Sequence, residues 1–335
     1  MSEPRVSIVI PNFNGRRHLE VCLSSIQNLN YKHFEVIVVD NASTDGSVEF
    51  VKAKYPRVKL LVNAVNLGFA EGCNVGMRNA RGQYVALLNN DVEVHPNWLK
   101  ELVFVAQSDP RIAICASKIM MFQNRKVFNS AGGEYDIYGS GHDRGLYESD
   151  HGQYSRVEEV FFACGGAMLV QREILREIGL FDSRYFMYGE DVDLCWRAWL
   201  CGYKVVYVPS AIVYHKYGGT MEALTVQKLY FTSRNSLCSI LKNYSFKRLA
   251  KACLRFLSLK EGEMLLFLIS ERVNASFAIL KAIIWNIGNF SETWKKRVKV
   301  QMSRKVSDDR IEQRVVKESI ELRRFLSGYF PRFKV

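Results

Sequence analysis

Five short apolar runs recur through the first 120 residues: Val6–Ile10, Phe34–Val39, Val58–Val62, Gln83–Leu88 and Ile112–Ala116. Between them, apolar positions return every three to four residues over roughly Arg17–Gln27, Asp45–Lys54, Glu71–Asn79 and Pro96–Gln107. Short β-branched runs predict buried strands, and the longer period predicts helices with one apolar face. Ser43 or Thr44 is placed to cap the second helix. Strand and helix alternating at this spacing predict an α/β domain, a mainly parallel sheet covered on both faces. From about Gly132 to Arg156 the period is lost in a stretch rich in Gly, Tyr, Asp and His. It is too long for a simple connection and predicts a functional loop or excursion. The pattern returns with Val157–Val170, a helix near Arg172–Ile178, a helix from Glu190 to Cys201 closed by Gly202, and a strand Lys204–Val208. Beyond about Leu224 only helical periodicity remains, which divides the chain into residues 1–222 and an all-helical 223–335.

Charge sharpens that division. Residues 1–240 hold 25 basic and 25 acidic side chains, so the whole net charge of +12 falls on residues 241–335. Met264–Phe290 is the most apolar stretch, but Glu271, Arg272 and Lys281 interrupt it well short of the roughly 20 residues that span a bilayer. Two readings stay open for this region. One is an amphipathic surface beside Lys295-Lys296-Arg297 that meets an anionic membrane; the other is a helical subdomain or a contact in a homo-oligomer. No nucleic-acid motif accompanies the charge, so nucleic acid is not expected as a partner. The start, Met1-Ser2-Glu3-Pro4-Arg5, lacks the basic and apolar regions of a cleaved leader, and the eight cysteines are scattered without a C-x-x-C pair. A cytoplasmic protein with reduced thiols is expected, peripheral on the membrane's cytoplasmic face if the first reading of the tail holds.

The candidate chemistry sits where strands end. Tyr84–Leu88 closes on Asn89-Asn90-Asp91, delivering a carboxylate to the strand end that borders the ligand crevice of open α/β sheets. Such a group can hold a hard divalent cation that also grips phosphates, although Asn and Asp equally favour caps and turns. Pro11-Asn12-Phe13-Asn14-Gly15 follows the first strand, and Val38-Val39-Asp40 ends the second on an acid suited to a base or ribose. Asn66-Leu67-Gly68-Phe69-Ala70-Glu71-Gly72-Cys73-Asn74 places small residues where backbone must approach a flat ligand. A G-x-G-x-x-G after the first strand is missing, which argues against a dinucleotide site. Gly189-Glu190-Asp191-Val192-Asp193 opens a helix with three carboxylates, more than one cap requires. Asp45 is expected to cap a helix, Asp193 to cap its own, Trp196 and Trp199 to lie in the core, and Arg197 to pair with an acid. His18, His33, His95, His142 and His151 show no metal spacing and receive no role.

In their order and spacing, these motifs, together with Tyr214-His215, resemble the family 2 glycosyltransferases over about residues 5–220, most closely a rhamnosyltransferase-like branch that builds bacterial surface polysaccharides. The resemblance implies a GT-A fold with the helical part as a C-terminal extension, a UDP- or dTDP-sugar donor, Mg²⁺ or Mn²⁺ as cofactor, a lipid-linked or glycan acceptor, and inversion at the anomeric carbon. Pro11, Asn12, Asn14 and Asp40 would line the nucleoside pocket, Asn66, Gly68, Gly72 and Asn74 its far wall, and Asn90 would join the donor site. Asn89 and Asp91 take the positions of the family's D-x-D motif, with Asn89 lacking one of its charges, and His215 would be a third metal ligand. Asp191 matches the catalytic base, and Glu190 would orient it or the acceptor. A base is needed because an acceptor hydroxyl is a poor nucleophile until its proton is taken, whereas single displacement needs no protein nucleophile. Asn89 also admits a non-catalytic scaffold that binds sugar nucleotides, and the fold alone admits a nucleotidyltransferase.

Overall fold

The strand–helix alternation is realised in a computed structural model of the chain, which describes residues 4–216 and 226–320. In order come β1 (Val6–Asn12), α1 (Arg16–Gln27), β2 (Phe34–Asp40), α2 (Ser47–Lys54), β3 (Lys59–Val62), α3 (Gly68–Asn79) and β4 (Tyr84–Leu88). They are followed by β5 (Val92–Val94), α4 (Trp98–Ser108), β6 (Ile112–Met121), β7 (Phe128–Ser130), β8 (Gly133–Asp136), β9 (Gly141–Asp143) and β10 (Glu158–Glu159). Next are β11 (Ala167–Gln171), α5 (Leu175–Ile178), α6 (Glu190–Leu200) and β12 (Lys204–His215). The rest is mostly helical: α7 (Val226–Asn243), α8 (Phe246–Ile269), α9 (Val273–Gly288), α10 (Phe290–Ser303), α11 (Asp308–Glu312), then β13 (Val315–Val316).

The main sheet runs β10-β12-β6-β11-β4-β1-β2-β3, parallel from β4 through β3 with β11 antiparallel between β4 and β6. Side chains alternate across each strand, so Val9, Ile37, Val39, Val85 and Leu87 face α3 and α6, whereas Ile8, Ile10, Val38, Ala86 and Leu88 face α1 and α4. Burial on both faces explains why these strands read as continuous apolar runs. The parallel register sets Asn12 beside Asp40, so β1 and β2 end together, and β4 ends one strand away.

Three local expectations change. The cap of α2 is Gly46, with φ 81°, rather than Ser43 or Thr44. Asp45 closes two helix starts at once, accepting from Arg16 N at 2.9 Å and Ser47 N at 3.1 Å. The aperiodic segment after Gly132 contains a small second sheet in which β8 pairs with β9 and with the distant β13, a pairing too remote in sequence for periodicity to signal. The strand expected to end at Val208 continues to His215, pairing with β5 after an irregularity between Val208 and Ile212.

The expected boundary at 222 lies outside the described residues. The helices after it pack directly on the α/β unit. Asn235 Nδ2 donates to the carbonyls of Tyr185, Met187 and Tyr188 at 3.1, 3.0 and 2.6 Å, holding a turn in which Phe186 and Tyr188 have φ of 61° and 68°. Lys242, 2% exposed, joins two buried carboxylates, Asp182 at 3.1 Å and Asp193 at 2.9 Å. Asp193 is thus a buried ion partner, also bound by Arg197 at 3.0 Å and Asn243 at 3.0 Å, rather than a cap. Arg197 pairs with an acid as expected, and Trp196 and Trp199 lie in the core. Among the described residues, no helix is long and apolar enough to cross a membrane, and the eight cysteines are free.

Candidate active site

Three strand ends and two helix starts supply the candidate residues. At β1, Asn12 is a polar hub: its Nδ2 donates to Asp40 Oδ2 at 2.8 Å and Ser43 Oγ at 3.2 Å, while its Oδ1 accepts from Asn90 Nδ2 at 2.7 Å. Asp40 also accepts from Ser43 N at 2.8 Å. Gly15 is required beside this hub, since a Cβ there would lie 2.0 Å from Asn90 Nδ2. Asn14 takes φ 49°, donates from its backbone N to Ser43 Oγ at 2.8 Å and accepts from Thr44 N at 2.8 Å. Pro11 is buried within β1. The polar wall is therefore built from the first two strand ends and Asn90, with Ser43 recruited into it.

The far wall is the start of α3. Asn66 Oδ1 accepts from Gly68 N at 2.9 Å, and Gly68 O accepts from Asn41 Nδ2 at 3.0 Å. Gly72 packs against that same amide, where a Cβ would come within 2.8 Å. Asn74 is only 2% exposed, and its amide exchanges two hydrogen bonds of 3.0 Å with the backbone of Phe181. It fastens α3 to the segment preceding α6 and does not face the crevice, which sequence spacing could not distinguish.

Asp91 lies just beyond β4, 8% exposed, with Oδ1 3.2 Å from His215 Nε2. The two are neighbours because β5 pairs with the end of β12, setting Val92 opposite His215. His215 Nδ1 lies 2.6 Å from Asn129 Oδ1. His215 thereby stands between Asn129 and the Asp91 carboxylate. Asp91 Oδ1 takes no hydrogen bond among the described residues. Burial opposes the Asp91 charge, but His215 beside it and the charge of His18 outweigh burial and hold its pKa below the usual carboxylate value. His18, given no role from spacing, thus contributes to the field here.

Asp191 opens α6 after Gly189, which has φ 81°. Its Oδ2 accepts from Gly165 N at 2.9 Å and its Oδ1 from Val192 N at 2.8 Å. The next glycine, Gly166, accepts through its carbonyl from Asn89 N at 2.8 Å. The Gly165-Gly166 step therefore bridges the two motifs, fixing Asp191 on one side and the Asn89–Asp91 turn on the other. Burial and the charge of Asp143 raise the Asp191 pKa to about 6 against the backbone donors that lower it. Neighbouring Glu190 is fully enclosed, its Oε2 without a hydrogen-bond partner among the described residues; burial and Asp191 push its pKa well up. Sequence reasoning missed Gly165, Gly166, Asn129 and Asp143. The paired glycines before a strand were a visible signal; Asn129 and Asp143 arrive only through β7 and β9.

Among the described residues no group of three or more His, Cys, Asp or Glu is arranged to hold a metal. Asp91 and His215 offer one oxygen and one nitrogen donor, so phosphate oxygens and water would have to complete the shell of an ion held there.

The chain is similar to several known proteins. Residues 7–179 match the model of "Glycosyl transferase family 2". The N-acetylglucosaminyl-diphospho-decaprenol L-rhamnosyltransferase of Mycobacterium tuberculosis is 32% identical over 231 residues, 62% of this chain and 75% of that protein. An uncharacterized Sinorhizobium fredii protein, y4gI, is 33% identical over 227 residues, 63% of this chain but only 24% of the longer protein. The crystal structure of GalNAc-T7 with UDP, GalNAc and Mn²⁺ superposes with a TM-score of 0.58 at 22% identity, covering 71% of this chain and 48% of that one. The chain belongs to glycosyl transferase family 2 and has the GT-A fold.

Proposed function

We propose that the protein is an inverting glycosyltransferase that moves a sugar, a deoxyhexose such as rhamnose or a hexose, from a UDP- or dTDP-sugar to a lipid-linked or polysaccharide acceptor. The observation that carries this is the Gly165-Gly166 bridge, which ties a raised-pKa carboxylate, Asp191, to the turn bearing Asp91. That bridge supports a base and a diphosphate-binding group facing one crevice. The rhamnosyltransferase name of the mycobacterial relative and the UDP and Mn²⁺ of the superposed structure support the choice of donor, acceptor and ion.

Asn12, Asp40 and Ser43 present a pre-assembled polar wall to the nucleoside, with Asn14 and Asn90 at its rim and Pro11 fixing the strand beneath. Asn66, Gly68 and Gly72 would form the opposite side, where the glycines leave room for Phe186 and Asn41 to pack against α3. Asp91 and His215, with Asn89 as a neutral neighbour, would hold Mg²⁺ or Mn²⁺. When bound, the ion supplies Lewis-acid stabilisation of the departing nucleoside diphosphate. Asp191, mostly ionised above pH 6, takes the acceptor hydroxyl's proton as oxygen attacks the anomeric carbon from the face opposite the diphosphate. One displacement inverts that centre. Burial and the neighbouring Asp191 raise the Glu190 pKa, which disfavours a second negative charge beside the base. Replacing Asp191 by Asn keeps its size and removes its basicity. Transfer should fall by about 10³-fold or more while UDP still binds; wild-type turnover in Asp191→Asn would remove the residue from this role.

A further inference from the structure

Helix α9 is apolar on two sides, and only one is used. Ala275, Ala278, Ile279 and Ala282 are buried in the helical bundle with α7 and α8. On the other side, Val273, Phe277, Leu280, Ile284 and Ile287 are 44%, 53%, 38%, 56% and 70% exposed. Spaced by four, three, four and three, they make one continuous stripe about 20 Å long. At its N-terminal end the stripe meets the last turns of α8, where Leu265, Leu266, Leu268 and Ile269 are also exposed, Ile269 by 81%. An exposed apolar face of this extent marks an interaction surface.

Its surroundings decide the partner. Lys281 lies beside the stripe, exposed, and Lys299 and Lys295, the latter paired with Glu292 at 2.6 Å, are exposed on the helix that follows. The chain's entire +12 excess belongs to residues 241–335. Two copies meeting through this face would bring two basic regions together, whereas an anionic surface would be attracted. The apolar area also spreads from α9 over the α8–α9 corner, broader than the narrow seam that pairs two helices. We infer that the α8–α9 hairpin and the outer face of α9 lie on an anionic phospholipid surface, apolar side chains among the acyl chains and lysines at the headgroups. That this surface serves to bring the crevice to a lipid-linked acceptor rests on the transferase reading; the docking itself does not.

The test uses the full chain and vesicles of phosphatidylcholine with and without phosphatidylglycerol. Wild type should co-sediment with the anionic vesicles at least about tenfold more tightly than with the neutral ones and be released by salt. Phe277→Glu with Ile284→Glu should lower that binding at least about tenfold, while stabilisation by UDP or dTDP with Mn²⁺ stays as in wild type, showing that the fold is intact. Equal binding to neutral vesicles, unchanged binding of the double variant, or a wild-type dimer that the double substitution dissociates would overturn the inference. Vesicle binding without any response to UDP or dTDP would instead sustain the surface and count against the transferase reading.

Discussion

Single residues carry the chemistry, and their environments differ in ways that experiment can read. Asp91 is held ionised by His215 and His18 against burial, and Asp191 is held toward its neutral form by burial. Asp91→Ala should weaken UDP binding about tenfold or more in Mn²⁺ and leave metal-free binding unchanged; calorimetry with and without the ion checks it, and equal losses in both would mean that the side chain acts without the metal. The sign for Asp191 is opposite to that of a salt-bridged acid. Its folded pKa of about 6 exceeds the unfolded value of about 3.9, so the folded state binds the extra proton between those values. Its contribution to stability is full below pH 4 and is lost as pH rises through 6. Asp191→Asn should therefore raise Tm at pH 7.5 by a few degrees and change it little at pH 4. An unaltered Tm difference across that range would contradict the raised pKa. Most of these residues could be read from the chain because they sit at strand ends, where the pattern itself marks the crevice. Asn129 and His18 could not, since their positions depend on pairings and packing that no local window contains.

At the scale of elements, the strands of the α/β half were legible because burial on both faces makes them apolar throughout. The β8–β9–β13 sheet was not, because its third strand pairs across a separation of 180 residues, Val315 with Tyr135. Helix α6 is the element on which the site depends most. Its first turn carries Asp191 and binds Lys242 through Asp193, and the turn before it is held by Asn235. Burial opposes the Lys242 charge, but Asp193 and Asp182 outweigh it and keep its pKa raised. Lys242→Met would leave two buried carboxylates without their shared cation, a loss of about 3–5 kcal/mol. Denaturant unfolding measures this directly; a loss under about 1 kcal/mol, the scale of exposed pairs, would show the network to be dispensable.

For the whole molecule, the charge asymmetry sets the last third apart in the sequence, but the pattern of apolar positions could not reveal how closely it grips the α/β unit. Lys242, Lys296 and Arg234 each reach from the helices to the segment 182–185 that leads into α6. A chain cut after residue 225 exposes the faces of α6 and Asp193 and is expected to be insoluble or to lack a cooperative thermal transition; a soluble fragment with wild-type transfer would show that the helices serve only as an attachment. The central claim is that a carboxylate titrating near pH 6 takes the acceptor proton beside a diphosphate-binding crevice. The pH dependence of kcat/KM for sugar transfer at saturating Mn²⁺ tests it most directly. The account predicts an acidic limb with a midpoint near pH 6, steepening to tenfold per pH unit below it; a rate that stays flat from about pH 4.5 to 8 would contradict it.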